Sequence, residues 1–165
     1  MNNLAVANAL ALNDYAERLA RAALGDIPDG SYTFTDYLDD DGQGQVDIPI
    51  RVTVSVAGND IRADFGGTAP QVRGNVNCPL AVAAAAVYYV FRCLMPAATP
   101  ACSGAFRPVR LRAPAGNLLN AQYPAAVAAA VCERITASAA RAIVPTSFAN
   151  EDCTSGALSV KSSSN

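Results

Sequence analysis

Residues Asp64 to Met95, DFGGTAPQVRGNVNCPLAVAAAAVYYVFRCLM, constrain the fold more than any other stretch. A strand ends at Asp64-Phe65, a Gly-, Pro- and Asn-rich loop runs from Gly66 to Pro79, and an apolar helix begins near Leu80. Gly66, Gly67 and Gly74 permit positive φ or close backbone approach. Asn75 and Asn77 tolerate turn conformations and bond nearby backbone. Arg73 is the only full charge between Asp64 and Arg92. Loops of about a dozen residues without regular structure are uncommon and more often functional. The opposing reading is a structural corner, with Asn77 capping the helix and Pro79 in its first turn.

Upstream, the pattern is a helix and then a meander. Residues 4–24 favour helix, with Leu10, Tyr15, Leu19 and Ala22 near one face, and Gly25 stops it. Tyr32, Phe34 and Asp36 alternate with Thr33, Thr35 and Tyr37. Ile50, Val52, Val54 and Val56 alternate with Arg51, Thr53 and Ser55, the period of a half-buried strand. After the Gly58-Asn59-Asp60 turn, Ile61, Ala63 and Phe65 face one way, and Arg62 and Asp64 the other. The run Asp39-Asp40-Asp41-Gly42 is not a calcium loop. With Gly42 at loop position six, Tyr37 and Ile48 fall where Asp and Glu are required. It reads as a solvated hairpin tip.

Downstream, Leu80–Leu94 is apolar nearly all round and is expected to be buried on several sides. A strand is expected at 108–112 and a second alanine-rich helix over 126–143, ending before Pro145. The predicted class is α+β, an antiparallel strand meander packed against alanine-rich helices. The expected divisions are an N-terminal helix at 1–26, a domain at 27–144 and a divergent, loose tail at 145–165.

Composition narrows the function. Hydrophobic residues are 52% and charged residues 16%, against roughly a quarter charged in soluble domains. So little charge favours burial against a partner or against further parts of the same protein. A net charge of −2 without a basic run argues against nucleic acid. The first twenty residues lack a basic leader pattern, and the longest apolar run, Pro79–Phe91, is 13 residues, short of a membrane span. Five cysteines with no CxxC read as reduced thiols, so a cytoplasmic location is expected. Histidine is absent, which removes the commonest general base and metal ligand, and no tightly bound zinc or calcium is expected.

IPDGSYTFTDYLDDDG, IRADFGGTAPQVRGNVNCPLAVAAAAVYYVFRCLM, GAFRPVRLRAPAGNLLN and YPAAVAAA occur in this order between Ile27 and Ala130. As an ordered set they resemble the hydantoinase B/oxoprolinase family, specifically the C-terminal part of the B-type subunit. The resemblance implies part of an ATP-dependent enzyme that opens cyclic amides such as hydantoins or oxoproline. It also implies a separate hydantoinase A-type subunit or domain that cleaves ATP, a small cyclic-amide substrate, and ATP and a metal ion in the complete enzyme. Some relatives carboxylate ketones.

Within this chain there is no phosphate-cradling loop and no cofactor site is read. It can supply only orienting groups. The substrate-binding or interface candidates are Asp64, Arg73, Asn75 and Asn77, with no catalytic residue assigned. Glu133 reads as a solvated charge or a partner of Arg134. The isolated chain is expected to be inactive. The alternatives are a non-catalytic structural or subunit-interaction fragment, or part of a related ATP-dependent ketone carboxylase.

Overall fold

The alternation in 46–65 builds the centre of the molecule. The computed structural model describes residues 3–127 and 131–143. Its elements are α1 (Asn3–Leu24), β1 (Gly30–Asp40), β2 (Val46–Ala57), β3 (Asp60–Asp64), α2 (Leu80–Leu94), a 3-10 turn (Ser103–Phe106), β4 (Val109–Arg112) and α3 (Cys132–Ile143). The sheet order is β1-β2-β3-β4. The first three strands are antiparallel, as the meander predicts. β4 is parallel to β3, a pairing that needs a long crossover, and the chain through α2 supplies it.

Period two sorts the sheet into unlike faces. Ile48, Ile50, Val52, Val54, Val56, Ile61, Ala63, Phe65 and Val109 are buried on one face. α3 packs across β1 and β2 there, and α2 packs against α3 and β4. The other face carries Arg51, Thr53, Ser55, Arg62, Asp64, Arg110 and Arg112, all exposed or half-buried.

Several expectations change in the structure. α2 has the expected bounds and buries Ala83, Ala86, Val87, Val90 and Phe91. It is not enclosed, because sheet and α3 cover one side only, and Ala81, Ala85 and Tyr89 are exposed at intervals of four. α1 does not bury the face expected from Leu10 and Tyr15, which are 55% and 46% exposed. It buries the small residues Ala16 and Ala20, with Leu24, and its main contact is the 3-10 turn. Asn13 Oδ1 accepts the Gly104 N–H (2.7 Å) and the Ser103 hydroxyl (2.9 Å). Arg107 bridges Asp14 (2.8 Å) and Glu17 (2.9 Å), and Arg21 joins Glu17 (2.9 Å) to Asp60 (3.0 Å). The hydrogen bonds from Arg107 and then Arg21 hold the Glu17 carboxyl below the usual range.

α3 is shorter than the expected 126–143. The Ala126 carbonyl and Val127, expected inside it, are held by Asn77 instead, and the described helix covers Cys132–Ile143. Glu133 is exposed, and Arg134 reaches Asp36 on β1 (3.3 Å) rather than Glu133. The tail at 145–165 lies outside the described residues.

Candidate functional site

The 66–79 loop is a woven layer. β3 pairs only with the second half of β2, and the loop takes its place beside the first half. Thr68 Oγ1 accepts the Arg51 N–H (3.0 Å) and donates to the Arg51 carbonyl (2.9 Å). The Ala69 N–H donates to Pro49 O (2.9 Å). On its other side the loop pairs with 116–120: Gln71 N–H to Gly116 O (2.8 Å), Leu118 N–H to Ala69 O (2.9 Å), and Cys78 N–H to Leu118 O (2.7 Å). The buried Asn117 donates to Phe65 O (3.0 Å) and Thr68 O (3.2 Å).

Asn77 locks the second half. Its side chain is fully buried. Oδ1 accepts the Val72 N–H (2.8 Å), while Nδ2 donates to the carbonyls of Val72 (2.9 Å), Gly74 (2.8 Å) and Ala126 (2.8 Å). It is not the cap of α2. Pro79 holds that position without a side-chain cap. The hairpin tip closes over the same half, so Asp41 is 3% exposed rather than solvated. Its carboxylate accepts the N–H groups of Gln43 (2.8 Å), Gln45 (3.0 Å) and Gly74 (3.1 Å). Burial alone raises this carboxyl, but the backbone donors outweigh it and hold it below the ordinary range. A Cβ at Gly74 would overlap the Asp41 carbonyl oxygen, so glycine is required there for close approach.

With the loop held from inside, Arg73 and Asn75 face outward, both exposed and neither bonded through its side chain to any described residue. Cys78 is buried, which pushes its thiol up to about 11, with Cys132 adding to the shift. A thiol that high stays protonated near neutral pH and is a poor nucleophile.

Asp64 lies elsewhere, in a shallow depression of about 540 Å³ on the polar sheet face. Arg51, Arg62, Arg112, Thr53 and Ser55 line it, with Gly66 and Gly67 at its edge. Asp64 accepts the Gly66 N–H (2.8 Å) and Arg112 Nη1 at both oxygens (3.0 Å each), with Arg62 at 3.7 Å. A Cβ at Gly66 would press on Arg112 and Asp64, and one at Gly67 on the Arg51 stem, so the glycine pair leaves the charged groups room. The four candidates thus occupy three settings: Asp64 among arginines, Arg73 and Asn75 outside the loop, and Asn77 within it. Sequence reasoning passed over Arg51 and Arg112. Both were visible in the strand alternation, but their convergence depends on β4 lying beside β3.

Two guanidinium groups on one carboxylate, with the Arg51 guanidinium lining the same depression, can orient anions and polar carbonyls. They form no nucleophile–base pair. Among the described residues no three His, Cys, Asp or Glu side chains converge on a point where an ion would sit. No helix among the described residues is long and apolar enough to cross a membrane.

This is an α+β unit whose loop and charged sheet face present polar groups at its surface. The family model for hydantoinase B/oxoprolinase matches residues 5–161, and the chain belongs to that family. The match is wider than the 27–130 span of the motifs. The chain is 39% identical over 125 residues to the B-type subunit of a putative D-/L-hydantoinase of Pseudomonas sp. (strain NS671), covering 69% of this chain and 21% of that protein. It is 36% identical over 123 residues to 5-oxoprolinase 1 of Arabidopsis thaliana, covering 74% and 9%. The crystal structure of the ATP-dependent caprolactamase from Pseudomonas jessenii superposes with a TM-score of 0.72 at 29% identity, covering 81% of this chain and 24% of that one. The chain therefore spans a quarter or less of each of these relatives.

Proposed function

We propose that this chain is a part of an ATP-dependent cyclic-amide hydrolase of the hydantoinase/oxoprolinase type and is inactive alone. The observation that carries the reading is family membership across 5–161 combined with the short span relative to the matched proteins. A hydantoinase A-type partner supplies ATP cleavage. The metal ion of the complete enzyme binds outside the described residues, and the assembly works in the cytoplasm. Residues 27–144 form the unit that enters it, with 1–26 as an appended helix.

Within that assembly the 66–79 loop lies at a cleft or a subunit interface. Arg73 and Asn75 point to the substrate or to the partner, Asn77 holds the loop that presents them, and Asp64 orients the arginines of the sheet face. An unactivated amide is a poor electrophile, and a few amides and arginines do not replace activation by ATP or a positioned base.

The test is ring opening coupled to ADP release, measured with the chain alone and with a hydantoinase A-type partner. No turnover is expected from the chain alone, and turnover there overturns the reading. Arg73→Ala is expected to impair the complete assembly while shifting stability by less than about 0.5 kcal/mol, as an exposed substitution does. Full activity of that variant removes Arg73 from the site.

A further inference from the structure

The sheet face opposite α2 and α3 gathers more arginines than the carboxylates of β3 balance. Cross-strand register places Thr33 opposite Thr53, Ser55 opposite Arg62 and Thr53 opposite Asp64. It places Arg62 opposite Arg110 and Asp64 opposite Arg112. With Arg51 on the same side of β2, four of the chain's 12 cationic residues share one face with Asp60 and Asp64 of β3, and Asp60 is already paired with Arg21 of α1. The chain as a whole carries −2.

Other arginines are differently placed. Arg21, Arg107 and Arg134 each pair with carboxylates, and Arg92 binds the carbonyls of Pro96, Ala97 and Thr99. On the face, Arg62 and Arg112 share Asp64, while Arg51 and Arg110 meet no carboxylate among the described residues. Like charges directly opposite across strands destabilise a sheet, and Arg62 faces Arg110. A face that only meets water gains nothing from this arrangement. An anionic occupant reverses its sign.

We propose that this face docks an acidic polypeptide segment. The shape decides between a peptide and a small oxyanion. Four strands at about 4.8 Å spacing make a platform roughly 14 Å wide, and the depression in it is open and shallow rather than a cradle. Arg110 and Arg112 are two residues apart on one strand and so about 6.6 Å apart, the spacing of alternate side chains in an extended segment. Carboxylates at every second position of such a segment meet successive arginines, and the hydroxyls of Thr53 and Ser55 on β2 line the neighbouring depression. The inference concerns binding and does not depend on the ring-opening reading.

The test uses the full chain and a fluorescein-labelled peptide of alternating Glu and Ser, read by fluorescence anisotropy. Saturable binding is expected, weakening about tenfold or more between low and near-physiological salt, as paired surface charges do. The same peptide with Gln for Glu is expected not to bind. Arg110→Glu and Arg51→Glu are each expected to weaken binding about fivefold or more. Arg18→Glu on α1, an equal charge change, is expected to change it less than about twofold. Circular dichroism confirms that each variant keeps its fold, and the two face variants serve as independent readings. Absence of binding, or an equal effect of Arg18→Glu, overturns the proposal. So does displacement of the peptide by inorganic phosphate beyond that by chloride at matched ionic strength, which marks a small-oxyanion site instead.

Discussion

The inward side of α2 and the inward side of the 66–79 loop are equally buried, but by different physics. Phe91 reaches full burial by removing apolar area from water, against neighbours that need only be apolar and of suitable shape. Asn77 reaches it by placing every amide hydrogen and its oxygen on backbone partners. The first kind of burial tolerates changes of chemistry that preserve volume. The second tolerates almost none, because losing the side chain leaves buried backbone groups without partners. Polar burial therefore fixes the loop's shape, while apolar burial fixes where the loop begins and ends.

Substitutions sharpen this contrast. Phe91→Ala is expected to cost about 3–5 kcal/mol in chemical denaturation, whereas Phe91→Leu costs less than about 1.5 kcal/mol if apolar volume is what matters. At Asn77 the order differs: Asn77→Ala and Asn77→Leu should both cost about 3 kcal/mol, since neither satisfies the Val72 N–H or the Gly74 and Ala126 carbonyls. An Asn77→Leu variant as stable as the parent would erase the distinction. Gly74→Ala comes next, at about 2 kcal/mol, because the hairpin tip must shift to admit a methyl group. Faster hydrogen exchange at Gln43 and Gln45 is the accompanying sign.

The smallest effect is that of pH on Asp41. Its folded carboxyl titrates below the usual range, and the unfolded group near about 3.9. The stabilisation is therefore complete above the unfolded value and is lost as pH falls through the folded one. Stability curves of the parent and Asp41→Asn should converge as pH drops from neutral into that acid range. Curves that stay parallel would mean that the carboxylate contributes nothing.

These contrasts also explain what was legible in the sequence. Strands 46–57 and 60–64 and the bounds of α2 follow from local periodicity and punctuation, so they emerge from composition of the segments themselves. The position of β4 beside β3, the burial of Asp41 and the capture of the Ala126 carbonyl by Asn77 depend on partners remote in sequence. No local signal carries them. α1 misled for a related reason. Its larger apolar residues suggested a buried face, but the contact with the 3-10 turn selects small ones at Ala16 and Ala20. The charged face was half legible: alternation assigns Arg51 and Arg62 to a side of their strands, and only the strand order shows that they meet Arg110 and Arg112 of β4.

The Asn77 bonds have a consequence in time as well as in space. The bond to Ala126 closes a span of 49 residues, and that from Gly74 to Asp41 closes 33. Long closures lose more chain entropy than a hairpin does, and their reward arrives only when both ends are already in place. The β1–β2 ladder and the turns within α2 close shorter spans and are expected to form earlier, although α2 packs only when β4 and α3 arrive. The loop that carries Arg73 and Asn75 is then expected among the last regions to take shape, and hydrogen exchange at Val72 and Gly74 is expected to outpace that of the β1–β2 ladder.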